Sequence, residues 1–89
     1  MRLDKFLKDS RLIKRRTIAK QMCDAGKVAI NSKIAKAGTD VFEGDRVTVE
    51  YATMFLTVEV LTLKISTSKV AAADCYKEIN RELKNKEGN

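Results

Sequence analysis

The chain has 89 residues, with 18 Lys and Arg against 12 Asp and Glu, two Cys and no His or Pro. That length suits a single domain, 1–89, with a modest core, and the lack of His and of any CxxC pair excludes a structural zinc site or a histidine acid–base relay. No apolar run approaches the roughly 18 residues of a membrane helix. Charged groups also interrupt residues 1–8, so no signal peptide or membrane partner is expected and the chain reads as cytoplasmic.

The positive charge is gathered at one end. Residues 1–36 hold eleven Lys and Arg against Asp4, Asp9 and Asp24, a net of +8, while residues 37–89 carry −2. A soluble chain with this asymmetry suits a polyanion, and nucleic acid is the default candidate. With only five aromatic residues, a row of exposed stacking rings is not the means of binding.

Leu3, Phe6 and Leu7 follow the i, i+3, i+4 spacing of a short first helix. Asp4 and Lys8, one turn apart, are expected on its wet side. Leu12 and Ile13 are apolar inside a cationic stretch and should anchor the connector to the core.

A second helix is expected from about Thr17, whose hydroxyl would cap it, to Gly26, which supplies a left-handed end. Ile18, Met22 and Ala25 form its expected inner stripe. Arg16 and Lys20 then lie on the opposite face, so loss of Arg16 should spare folding.

After Gly26 the period changes to two. Val28 and Ile30 lead to an Asn31-Ser32 turn and to Lys33-Ile34. Ser32 there should cost roughly 1 kcal/mol if the turn requires a positive φ. Glu43-Gly44-Asp45 makes a second turn. Val47, Val49 and Tyr51 then face inward, and Phe55 to Leu63 forms a long apolar strand.

Ser66-Thr67-Ser68 reads as a capping cluster before a last helix from about Lys69 to Lys86, with Ala72, Tyr76, Ile79 and Leu83 as its stripe. The order α-α-β-β-β-β-α gives an α+β class: two N-terminal helices on a small antiparallel sheet, with a C-terminal helix.

Arg11, Lys14, Arg15, Arg16 and Lys20 are the main functional signal. Consecutive cations at a helix entrance repel one another, and the free N–H groups there favour an anion. Base-reading Asn and Gln are scarce, since Gln21 is the sole Gln and no Asn precedes Asn31. This favours phosphate and shape recognition over major-groove readout. No Gly-rich phosphate loop exists, and the carboxylates sit beside turns or cations, so no enzyme and no cofactor are expected. Cys23 and Cys75 read as small apolar groups.

The runs Arg2-Leu3-Asp4-Lys5-Phe6-Leu7, Arg15-Arg16-Thr17-Ile18-Ala19, Asp24-Ala25-Gly26-Lys27-Val28-Ala29-Ile30-Asn31 and Val41-Phe42-Glu43-Gly44-Asp45-Arg46-Val47 resemble the RNA-binding domain named after ribosomal protein S-four. The resemblance covers residues 1 to about 50, leaving 51–89 for a strand and the last helix. It implies an RNA-binding surface built by two helices and the first hairpin. Arg2, Lys5, Arg11, Lys14, Arg15, Arg16, Thr17, Lys20 and Lys27 would lie on or near it, with Asp4 organising the cations around it.

The runs Arg2-Leu3-Asp4-Lys5-Phe6-Leu7 and Ser10-Arg11-Leu12-Ile13-Lys14-Arg15-Arg16-Thr17 are similar to free-standing members of that family acting in bacterial ribosome-associated quality control. That similarity implies binding to the rRNA of obstructed large ribosomal subunits and to P-site peptidyl-tRNA. It also implies a partner, RqcH, that recruits alanyl-tRNA for polyalanine tailing. A monomer doing no chemistry itself is expected. Ser32 departs from that pattern, where Gly is usual.

Three alternatives remain. A fifteen-kilodalton heat-shock protein type would also bind obstructed large subunits, though such proteins usually carry a strongly basic C-terminal extension, unlike residues 69–89 with five cations and four acids. A small DNA-binding helix-turn-helix protein is the second. A fragment of an enzyme bearing this domain is the third; Met1 directly before the motif favours a whole protein.

Overall fold

A computed structural model of the chain describes residues 1–65 and 72–84. Two helices, α1 (Leu3–Asp9) and α2 (Arg16–Asp24), precede strands β1 (Val28–Ile30), β2 (Lys33–Ile34), β3 (Arg46–Glu50) and β4 (Met54–Val60). A 3-10 turn at Ala72–Cys75 leads into β5 (Tyr76–Leu83). The five strands form one antiparallel sheet in the order β2-β1-β3-β4-β5.

The core lies between the helices and one face of the sheet. Leu3, Phe6 and Leu7 are fully buried, and Leu12 and Ile13 join them, as their spacing predicts. From the sheet come Val28, Val47, Val49, Leu56, Val58 and Val60, the alternate residues of β1, β3 and β4. This is the period-two burial of a sheet with one wet face.

The first turn of α1 is held by residues 37–41. Leu3 N–H donates to the Thr39 carbonyl (2.8 Å) and Asp4 N–H to that of Ala37 (3.1 Å). Helix N–H groups without an intrahelical partner are thereby satisfied. At the end of α2, Lys27 N–H bonds the Met22 carbonyl and Gly26 N–H that of Cys23, each at 3.0 Å, with Gly26 at φ 76°. This Schellman arrangement needs the left-handed residue that Gly26 supplies.

The β1–β2 turn has positive φ at both Asn31 (50°) and Ser32 (72°). The Asn31 side chain donates to Asp45 and accepts from Arg46 N–H, both at 3.0 Å, which ties the turn to the start of β3.

Two expectations need correction. The C-terminal segment is not a helix where it is described: after Cys75 it pairs along the whole of β4, from Val60↔Tyr76 to Met54↔Leu83. A bulge at Thr57/Val58 leaves Ile79 without a partner, so Tyr76 and Leu83, an odd number of residues apart, share a face. That offset gives the 4-3-4 apolar spacing that imitates a helix stripe. The stripe is not buried either, since Leu83 is 72% exposed. Ser66-Thr67-Ser68, Lys69 and Lys86 lie outside the described residues.

The second correction concerns α2. Its buried residues are Ala19 and Cys23, whereas Ile18 is 42% exposed and Ala25 also faces solvent. Nor does Thr17 cap it: the N-cap is Arg15, with no side-chain cap bond. The paired spacing of Ile18 and Met22 suggested the stripe. Packing against α1 selects the smaller Ala19 and Cys23, which let the two helices approach closely.

Candidate nucleic-acid interface

Asp4 is the centre of the site, and it is buried, 3% exposed, rather than on the wet side of α1 beside Lys8. Burial follows from its neighbours: Leu3 and Phe6–Leu7 seat this turn of the helix in the core. Its carboxylate accepts five hydrogen bonds. Oδ1 takes Lys5 N–H (2.9 Å), Arg2 Nε (3.1 Å) and Arg16 Nη2 (3.4 Å), and Oδ2 takes Arg16 Nε (3.3 Å) and Arg2 Nη2 (3.4 Å). Burial is the largest single influence on the carboxyl and pushes its pKa up, but the bonds and charges of Arg2 and Arg16 together outweigh it. The group is held below the ordinary carboxylate range and remains an anion at neutral pH.

Both arginine side chains are about half exposed, 52% for Arg2 and 47% for Arg16. Each directs Nε and Nη2 to Asp4, which leaves its Nη1 without a hydrogen bond among the described residues and able to donate to a phosphate. Arg16 does not lie opposite the buried stripe. It is about 20° from Cys23 around the helix, heads that stripe and crosses to α1. Its bonds to Asp4 join α2 to α1, so its loss is expected to loosen that contact, where the sequence placed Arg16 clear of the fold.

The other predicted residues fall into two groups. Lys5 is bonded to Asp9, and Lys27 stands 3.8 Å from Glu50, which also takes Lys84 at 2.9 Å. Lys27 lies beyond the end of α2, more than about 12 Å from Arg16 along the helix axis, so it does not join the Asp4 cluster. Arg11, Lys14, Arg15 and Lys20 are exposed, and none has an ion pair among the described residues. Thr17 is exposed beside them. The first turn of α2 contains no acid. The arrangement is thus a braced pair of arginines beside a run of cations that have no ion pair among the described residues, a surface suited to a polyanion.

Two residues that hold this surface are absent from the sequence reading as site residues. Ser10 is buried, its hydroxyl donating to the Leu7 carbonyl (3.2 Å) and accepting Leu12 N–H (3.4 Å). Tyr51 reaches across from the end of β3 to donate to the Leu12 carbonyl at 2.7 Å. A small polar residue inside an apolar and cationic stretch was the one available signal for Ser10. Tyr51 fits the inward alternation of β3, which conceals its hydroxyl.

Among known proteins, residues 1–47 match the S4 domain. The RQC P-site tRNA stabilizing factor of Bacillus subtilis is 51% identical over 82 residues, 92% of this chain and 95% of that one. The factor of the same name from Halalkalibacterium halodurans is 48% identical over 82 residues, 92% of each chain. In three dimensions the chain resembles the trimeric structure of Vibrio cholerae heat shock protein 15, with a TM-score of 0.80 and 29% identity over 89% of this chain and 81% of that one. With the motif, the helical pair and near full-length relatives in agreement, the chain belongs to the S4-domain family, as a protein of the RQC P-site tRNA stabilizing factor type.

Proposed function

We propose that this chain is a non-catalytic RNA-binding factor of bacterial ribosome-associated quality control. It binds obstructed large ribosomal subunits in the cytoplasm and stabilises tRNA in the P site while the nascent chain is extended with alanine. The observation that carries the reading is the Arg2–Asp4–Arg16 cluster with the uncompensated cations of residues 11–20, in a chain coextensive with relatives named for stabilising P-site tRNA. Two arginines held by one buried carboxylate have their positions set before RNA arrives, so binding costs less ordering. The surrounding cations add sequence-independent attraction to rRNA and tRNA phosphates.

In this reading the protein acts as a monomer. RqcH supplies alanyl-tRNA, and Arg2, Lys5, Arg11, Lys14, Arg15, Arg16, Lys20 and Lys27, with Thr17, lie on or near the RNA surface. The 1–50 segment carries recognition, and the remainder completes the sheet.

Tagged chain recovered from growing cells, followed by sedimentation and sequencing of bound RNA, tests this. Free large subunits carrying P-site tRNA, together with RqcH, are expected. Recovery of DNA, or of no nucleic acid, would overturn it. The likeness to heat shock protein 15 favours a second reading, a factor recycling obstructed large subunits without a tailing partner; large subunits recovered without RqcH would select it.

A further inference from the structure

Arg11 is one of three residues other than glycine with a positive φ among the described residues, at 63°. The other two, Asn31 and Ser32, form a hairpin turn that requires that conformation. Arg11 ends α1, where glycine would adopt the same backbone at no steric cost. Nothing inside the fold uses its side chain, which is exposed and has neither a hydrogen bond nor an ion pair among the described residues. Strain kept at a residue whose side chain serves no internal contact points to an external one.

The turn that imposes this strain is over-determined. Arg11 N–H bonds the Lys8 carbonyl (3.0 Å), Ile13 N–H that of Leu7 (3.1 Å), and buried Ser10 bridges Leu7 and Leu12. These ties are local. The long-range one is Tyr51 Oη on the Leu12 carbonyl, from 39 residues along the chain. Burial pushes the Tyr51 phenol above its ordinary range, so it stays a donor at every physiological pH. Tyr51 also lies outside the 1–47 segment that matches the S4 domain.

We propose that Tyr51 is a positioning residue for RNA binding: its hydroxyl, on the Leu12 carbonyl, fixes the left-handed turn at Arg11 and so aims the unpaired Arg11 guanidinium at an RNA phosphate. The inference rests on the proposed function. It makes the β3–β4 connection, beyond the family motif, a part of the binding device.

The test is a double-mutant cycle on the full chain with Tyr51→Phe, Arg11→Gly and both together. Affinity for purified large subunits is measured across a salt series, alongside the melting temperature. Arg11→Gly should raise the melting temperature, weaken binding about tenfold and make the log–log salt slope shallower by about 0.7–0.9, the equivalent of one phosphate. Tyr51→Phe should weaken binding severalfold with the slope unchanged, because no cation is lost. The double variant should bind no worse than Arg11→Gly alone.

Wild-type affinity in Tyr51→Phe, multiplying effects in the double variant, or a lower melting temperature in Arg11→Gly would each overturn this inference while leaving the proposed function standing. Wild-type chain that does not bind large subunits would overturn the proposed function itself, and this inference with it.

Discussion

Asp4 is an acid at the centre of a cationic surface, and its removal separates two accounts of that surface. If only net charge mattered, Asp4→Asn would raise the charge by one and tighten RNA binding. If Arg2 and Arg16 must be held in place, the same change loosens both and weakens binding. The proposed function predicts the second outcome, because five hydrogen bonds converge on this carboxylate. Asp4→Asn should cost about 1.5–3 kcal/mol of stability in denaturant titration, the range for hydrogen bonds to a charged group, and should lower affinity for large subunits. The cost also has a pH signature. The native carboxyl sits below its unfolded pKa, so the folded chain binds fewer protons than the unfolded one as that group titrates. Its stabilisation is complete above about pH 5, begins to fall as the unfolded carboxyl titrates at about pH 4, and drains away as pH falls through the lower native value. The stability difference between wild type and Asp4→Asn should therefore shrink in acid. An equal difference at pH 7 and pH 3 would contradict the sign of the shift.

The hairpin of β1 and β2 and the edge strand β5 show how much of the fold the residues disclose. The hairpin was legible because its turn chemistry is local: Asn31 accepts a left-handed backbone readily, and Ser32 marks the position where glycine would relieve strain. Ser32→Gly should raise stability by about 0.5–1 kcal/mol in equilibrium unfolding without changing large-subunit affinity, since Ser32 carries no charge; a loss of stability would mean that Ser32 makes a contact beyond its backbone. The first helix was legible for the same local reason, through Leu3, Phe6 and Leu7. By contrast, β5 was not, because its identity depends on the far edge of β4 and on the bulge opposite Thr57/Val58, neither of which leaves a periodic trace. Its charges are legible in hindsight as edge protection: Lys77, Glu78, Arg81 and Glu82 discourage pairing with another chain. The inner face of α2 is not legible in the sequence, because Ile18 outranks Ala19 in hydropathy while packing against α1 selects the smaller residue. In the site, the cationic cluster was plain in composition. The bracing of Arg16 by Asp4 was not, because it joins positions 12 apart on two helices.

Across the whole molecule, the fold divides its cations by partner. Arg2, Lys5, Arg16 and Lys27 are matched with Asp4, Asp9 and Glu50, whereas Arg11, Lys14, Arg15 and Lys20 are matched with none among the described residues. Four uncompensated charges on one connector and one helix face repel one another and weaken the folded state slightly. They also release counterions when they meet phosphate, which gives binding its salt dependence. Replacing all four with Gln should therefore act in opposite directions on folding and on binding. The melting temperature should hold or rise at low salt, because repulsion is relieved and no internal bond is lost. Large-subunit affinity should collapse at physiological salt, and the log–log slope, near −4 to −5 for about five phosphates, should become shallower by about 3. If the slope of this variant equals that of wild type, these cations are only a solvated face and recognition rests on Arg2 and Arg16 alone. A fall in both stability and affinity would instead make the cluster part of the fold. The expected opposition follows from exposure: these four side chains have no ion pair among the described residues, so replacing them removes repulsion from the folded state and charge from the face offered to RNA.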